Sequence, residues 1–181
     1  MKTTILIFMA LLTFNDQYTV YDFESENKSG QWRVINDGVM GGLSESSIQL
    51  NSDGSATFKG FVSLENNGGF ASVRSNIDSI KQGDFKGVSI RLKGDGSMYS
   101  LRFRTNKNFD GYAYQAKIKT EKDKWKEYNI SFNDFKPTFR GYTLDDKPVL
   151  KSDDIAQIGL LISDRQSGYF ELSIDWIKLY K

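Results

Sequence analysis

The chain of 181 residues contains no histidine and no cysteine. The usual general base near neutral pH, the commonest transition-metal ligand and the thiolate nucleophile are therefore all missing. Carboxylates, lysine, tyrosine and serine remain as groups that could do chemistry. Paired carboxylates occur at Asp145–Asp146 and Asp153–Asp154, but neither pair has a positioned aromatic or base nearby, as a glycosidase pair would need. The run "GDGSMY", Gly94 to Tyr99, begins like a dinucleotide fingerprint but sets Tyr99 where the third glycine belongs; a phosphate cradle is rejected. No EF-hand spacing is present. The residues point to no cofactor, no metal and no catalytic set.

Polar loops are the alternative carriers of function. "NDGVMGGLSESS", Asn36 to Ser47, wraps Val39 and Met40 between glycines. Apolar side chains are costly in water, so these two are expected to plug an open end of the fold, with Asp37 and Ser44 capping backbone N–H groups or facing a partner. "LENNGGFASVR" repeats the logic: Asn66 and Asn67 turn the chain, Phe70 re-enters the core and Arg74 follows. Arg74 reads either as a surface residue tying loops together, pairing with Asp37 or a backbone carbonyl, or as a ligand clamp. "SDRQSGYFEL" places Asp164, Arg165 and Gln166 at what reads as a hairpin tip. The candidate partner- or ligand-binding residues are Trp32, Asp37, Met40, Ser44, Asn66, Asn67, Arg74, Asp95, Arg104 and Gln166. Gly, Asn and Asp also populate turns for backbone reasons alone, so a structural role stands beside the functional one.

The elements that must position these loops have a period of two. "GVSIRLKG" alternates Val88, Ile90 and Leu92 with Ser89, Arg91 and Lys93, while "YSLRFRT" alternates Tyr99, Leu101 and Phe103 with Ser100, Arg102 and Arg104. The intervening "KGDGS", with its Asp-Gly, predicts a tight hairpin and an antiparallel pair. "GSATFKGFVSL" alternates imperfectly, with Phe61 in the polar phase. "QYTVYDFE", "GGFASVRS", "GYAYQAKIK", "WKEYNISF", "IAQIGLLIS" and "YFELSIDWIKLY" complete about ten short strands, and no useful amphipathic helix is present. Such strands cannot form a parallel α/β sheet, so the expected fold is all-β: an antiparallel β-sandwich of jelly-roll type. Arg91, Arg102, Arg104, Gln115 and Lys117 fall in the polar phase and are expected to share one basic sheet face, solvated or ligand-binding. The longest irregular stretch, Phe132 to Asp154, holds both prolines.

Residues 1–16 carry one lysine before an apolar run from Ile5 to Phe14, too short to span a bilayer, and read as an export signal. The alternative is a buried, uncleaved first strand in a cytoplasmic protein. Residues 17–181 read as a single domain. Twenty-four basic and twenty-three acidic residues give a formal charge of +1, which leaves no long-range field to favour nucleic acid.

Five blocks in order, "WRVINDGVMGGLSES", "GFVSLENNGGFASVR", "GDGSMYSLRFR", "FRGYTL" and "IGLLISDRQSGYFELSIDWI", resemble the complex I intermediate-associated protein 30 family over about Asp22 to Tyr180. The matching positions include Trp32, Asp37, Met40, Gly42, Ser44, Asn66, Arg74, Asp95 and Gln166. The resemblance implies a galactose-binding-like β-sandwich and a chaperone-like, non-catalytic factor in assembly of NADH:ubiquinone oxidoreductase, with a protein partner and no nicotinamide site. The short form is similar to bacterial members of the family. Carbohydrate binding, which this fold often hosts, is the alternative, with Trp32, Trp125, Tyr112 and Tyr114 as stacking faces.

Overall fold

A computed structural model describes residues 17–23, 32–78, 80, 83–108 and 110–181. Thirteen strands are present among them: β1 (Gln17–Asp22), β2 (Arg33–Val34), β3 (Glu45–Leu50), β4 (Ala56–Val62), β5 (Ala71–Asn76), β6 (Gly87–Gly94), β7 (Met98–Arg104), β8 (Ala113–Lys119), β9 (Trp125–Ser131), β10 (Lys136–Phe139), β11 (Tyr142–Thr143), β12 (Gln157–Ile162) and β13 (Gly168–Tyr180). They form two antiparallel sheets. A six-stranded sheet runs β3-β4-β13-β6-β9, with β1 also pairing with β13; a seven-stranded sheet runs β11-β10-β8-β7-β12-β5-β2. This is the expected antiparallel β-sandwich.

The period-two pattern explains which face each strand buries. Phe58 of β4, Leu92 of β6, Leu172 and Ile174 of β13 on one sheet meet Leu101 and Phe103 of β7 and Leu160 of β12 on the other, all fully buried. Side chains of the intervening parity point outward. β13 keeps its apolar residues inward over thirteen residues only because it changes parity midway. Its register with β6 shifts between Ile174 and Trp176, and this bulge lets Ile174 and Ile177, three apart, both lie in the core. One end of the core is closed by rings: Trp32 packs edge-on to Tyr21 at 5.1 Å and stacks with Phe23 at 6.0 Å.

Two expected hairpins are arches between sheets. β6 pairs with β13 and β9, whereas β7 pairs with β8 and β12, so "KGDGS" carries the chain across the sandwich and joins no antiparallel pair. The turn chemistry is as expected, with Gly96 at φ +95° and Asp95 Oδ1 accepting from Ser97 N at 2.8 Å; a turn dipeptide fixes the reversal but not which sheet receives the next strand. "SDRQSG" between β12 and β13 is a second such arch, with Asp164 and Arg165 both at positive φ. The stretch from Phe132 to Asp154 contains β10 and β11, and it anchors Phe132, Phe135 and Leu150 in the core.

Candidate functional site

The first glycine-rich loop is organised by Asp37. This residue opens a short 3-10 turn, Asp37–Met40, and is 1% exposed. Its Oδ1 accepts from Ser44 N at 2.9 Å, and its Oδ2 accepts from Gly69 N at 2.7 Å, from Phe70 N at 3.2 Å and from the Ser44 hydroxyl. Ser44 Oγ in turn accepts from Ser63 N at 3.0 Å. One carboxylate therefore ties the loop after β2 to the loop after β4. Burial raises its affinity for a proton, but the bonds from Ser44, Gly69 and Phe70 outweigh that and hold the carboxyl below its ordinary range. A Cβ on Gly42 would fall 2.4 Å from Asp37 Cγ, and one on Gly68 would fall 2.7 Å from Asp37 Oδ2. These two glycines are required by the packed carboxylate. Of the two roles expected for Asp37 and Ser44, the structure shows backbone capping. The side chains of Val39 and Met40, and residues 1–16, lie outside the described residues.

Asn66 and Asn67 shape the second loop, while Asp95 and Gln166 bind backbone. Asn66 and Asn67 are exposed and hold φ of +54° and +59°, left-handed values that asparagine tolerates. Asp95 Oδ2 accepts from Glu171 N at 3.1 Å, linking the first arch to β13. Gln166 clasps the start of β7, accepting from Met98 N at 2.8 Å and donating to Met98 O at 2.8 Å and Ser163 O at 2.9 Å.

The stacking residues do not form one platform. Trp32 and Tyr114 are buried, with the Tyr114 hydroxyl donating to Pro148 O; Trp125 lies on the six-stranded sheet beneath Arg91 and Lys93; and Tyr112 lies beneath Lys147. An aromatic pair outside the expected set is more accessible. Phe61 and Tyr169 stand opposite each other on β4 and β13, edge-on at 5.1 Å, with Tyr169 90% exposed. They border an open groove lined also by Ser46, Gly60, Asp95 and Glu171, and exposed Leu43 and Leu64 lie at the same end. The signal in the sequence is the break of alternation at Phe61.

The seven-stranded sheet carries a contrasting outer face. Arg102, Arg104, Gln115 and Lys117 share it as expected, whereas Arg91 lies on the other sheet and pairs with Asp175. The registers place Lys136, Gln115, Arg102, Gly159, Arg74 and Arg33 in one row across six strands. Burial first, then repulsion by neighbouring guanidinium groups, brings Arg74, Arg102 and Arg104 down to about 10, so all three remain cations at neutral pH. Arg104 is 8% exposed and holds the loop before β8 by donating to Gly111 O and, at 3.2 Å, to Tyr112 O. Among the described residues, no three His, Cys, Asp or Glu side chains converge as metal ligands, and no helix is long and apolar enough to cross a membrane.

The model of the complex I intermediate-associated protein 30 family matches residues 21–174. The chain belongs to this family. It is 24% identical to the probable mitochondrial complex I intermediate-associated protein 30 of Caenorhabditis elegans, over 99% of this chain and 58% of that protein. It is 26% identical to the mouse mitochondrial protein of the same name, over 89% of this chain and 55% of that protein. The chain thus spans a little over half the length of these curated relatives. In structure it is similar to a family 11 carbohydrate-binding module from Clostridium thermocellum solved with a β-1,3-1,4-mixed-linked tetrasaccharide (TM-score 0.66, 19% identity, 91% of this chain and 95% of that one). An agarase also contains a similar unit (TM-score 0.60, 10% identity, 91% of this chain and 26% of that one). At such identities the likeness is one of fold: a galactose-binding-like β-sandwich, on which this family member places its Asp37-centred loops.

Proposed function

We propose that this member of the complex I intermediate-associated protein 30 family is a non-catalytic binding module that acts as an assembly or accessory factor by holding a protein partner. The observation that carries the reading is the accessible apolar end of the six-stranded sheet, where Phe61 and Tyr169 pair and exposed Leu43 and Leu64 lie just before β3 and just after β4. An exposed aromatic pair bordering a groove is the kind of anchor around which protein interfaces concentrate their binding energy. The loop carboxylate best placed for chemistry serves the fold instead, since Asp37 is already engaged by Ser44, Gly69 and Phe70. The names of the nematode and mouse relatives point to intermediates of respiratory complex I as the partner class. Affinity capture of the tagged chain from its native host tests this. Subunits of NADH:ubiquinone oxidoreductase should accompany the wild type and be lost with the double variant Phe61→Ser, Tyr169→Ser. Retention by the double variant, or capture of no such subunit, contradicts the proposal.

Carbohydrate binding is the second reading. It is supported by the mixed-linked tetrasaccharide held by the family 11 module and by a polar, outward sheet face on this chain that offers several side-chain hydrogen-bonding groups. Export by residues 1–16 would suit that reading, and N-terminal sequencing of protein from the host distinguishes a cleaved signal from a retained strand.

A further inference from the structure

We infer that the outer face of the seven-stranded sheet is a binding site for an acidic saccharide, with the carboxylate of a uronic acid residue seated between Arg102 and Arg74 over Gly159. The inference rests on the carbohydrate reading for its ligand class and on the arginine cluster for its place and charge preference.

The row Lys136, Gln115, Arg102, Gly159, Arg74, Arg33 crosses six adjacent strands. At the usual separation of neighbouring strands it is roughly 24 Å long, a length suited to a short oligosaccharide. Four of its six members are cations and none is an acid. Its centre is the one position without a side chain, and it leaves a small pocket lined by Ser72, Arg74, Arg102, Arg104, Gln157 and Gly159. Close packing closes that floor to anything larger than hydrogen, because a Cβ on Gly159 would meet Val73 O at 2.9 Å and Arg74 at 3.9 Å.

Like charges gathered on a half-buried face need a reason. Arg74 feels both Arg104 and Arg33, and Arg102 feels Arg74. Asp110 acts on both Arg74 and Arg104 and also pairs with Arg140 at 3.2 Å. A bound anion relieves this repulsion, and guanidinium is suited to a planar carboxylate because it donates in a fork.

Two buried polar atoms narrow the ligand further. Arg102 Nε, a donor, and Gln157 Oε1, an acceptor, are both buried without a hydrogen-bond partner, although the Gln157 amide nitrogen donates to Asn76 Oδ1 at 2.8 Å. An orphaned donor and an orphaned acceptor in one pocket are met together by a ligand that both accepts and donates. A uronate carries its carboxylate beside ring hydroxyls and does both. The face offers little apolar anchorage, Leu161 being the apolar residue in the adjoining row and 8% exposed; that favours a polyhydroxylated anion over an acidic peptide.

Calorimetric titration of the whole protein at low salt tests the site, with a glucuronate oligomer, a neutral glucose oligomer of equal length and hexaglutamate as probes. The glucuronate oligomer should bind saturably, at least tenfold more tightly than either other probe and more weakly as salt rises. Arg102→Gln should lower that affinity at least tenfold, and Arg102→Lys, which keeps the charge but not the fork, should lower it measurably while leaving the thermal midpoint near wild type. Tighter or equal binding of the neutral oligomer overturns the charged site but leaves the carbohydrate reading standing. Equal binding of hexaglutamate overturns the saccharide assignment. Absence of binding by every saccharide overturns both and leaves protein binding at Phe61 and Tyr169 untouched.

Discussion

Asp37 is the residue on which the loop end depends. Replacing its carboxylate by an amide in Asp37→Asn puts an NH2 group where donors already crowd, and the variant should unfold with a loss of about 3 kcal/mol, read by denaturant titration. The carboxyl is held below its ordinary value in the folded chain. Its stabilising contribution is therefore fully present above the unfolded value near 4 and lost as the pH falls through the lower folded one. Wild-type stability should drop across that acid window more steeply than that of Asp37→Asn; parallel curves would argue against the capping role. A paired substitution isolates the glycine requirement. Gly42→Ala drives a Cβ to within 2.4 Å of Asp37 Cγ, whereas a Cβ on Gly38 meets nothing within 4 Å. The first should cost about 1–3 kcal/mol by overpacking and the second should change stability by less than about 0.5 kcal/mol.

At the scale of elements, strand parity was legible and pairing was not. Alternation in "GVSIRLKG" and "YSLRFRT" gives the buried faces of β6 and β7 directly, because side-chain direction is a local property of extended chain. That these neighbours lie in different sheets depends on what each meets across the molecule, and an Asp-Gly turn is compatible with either outcome. The bulge in β13 was hidden for a related reason: the parity change at Asp175 shows only once β6 supplies a register. Trp32 reads as a stacking face from its type alone, and only its packing on Tyr21 and Phe23 makes it core. The second arch gives a test at this scale. Gln166→Ala removes the clasp on Met98 and Ser163 and should cost about 2 kcal/mol, with hydrogen exchange rising first at residues 97–99 and 163–168. Unchanged exchange there would show that the arch is held without the clasp.

Over the whole molecule, the two sheets present different outer surfaces. The six-stranded sheet carries an aromatic pair at the end shared with the Asp37 loops, and the seven-stranded sheet carries a cationic row. The balanced composition, with a formal charge of +1, conceals this, since charge sums are blind to how strand order collects arginines from β2, β5 and β7 onto one face. Phe61 in the polar phase was the one local hint of the aromatic end; Tyr169 became its neighbour only through the pairing of β4 with β13. Protein binding at the aromatic end is the central claim. Hydrogen–deuterium exchange on the captured complex reads it most directly: binding should protect residues 43–47, 59–64 and 168–171, while residues 100–104 and 157–161 change little. Protection confined to that second set, with none around Phe61 and Tyr169, would contradict the account.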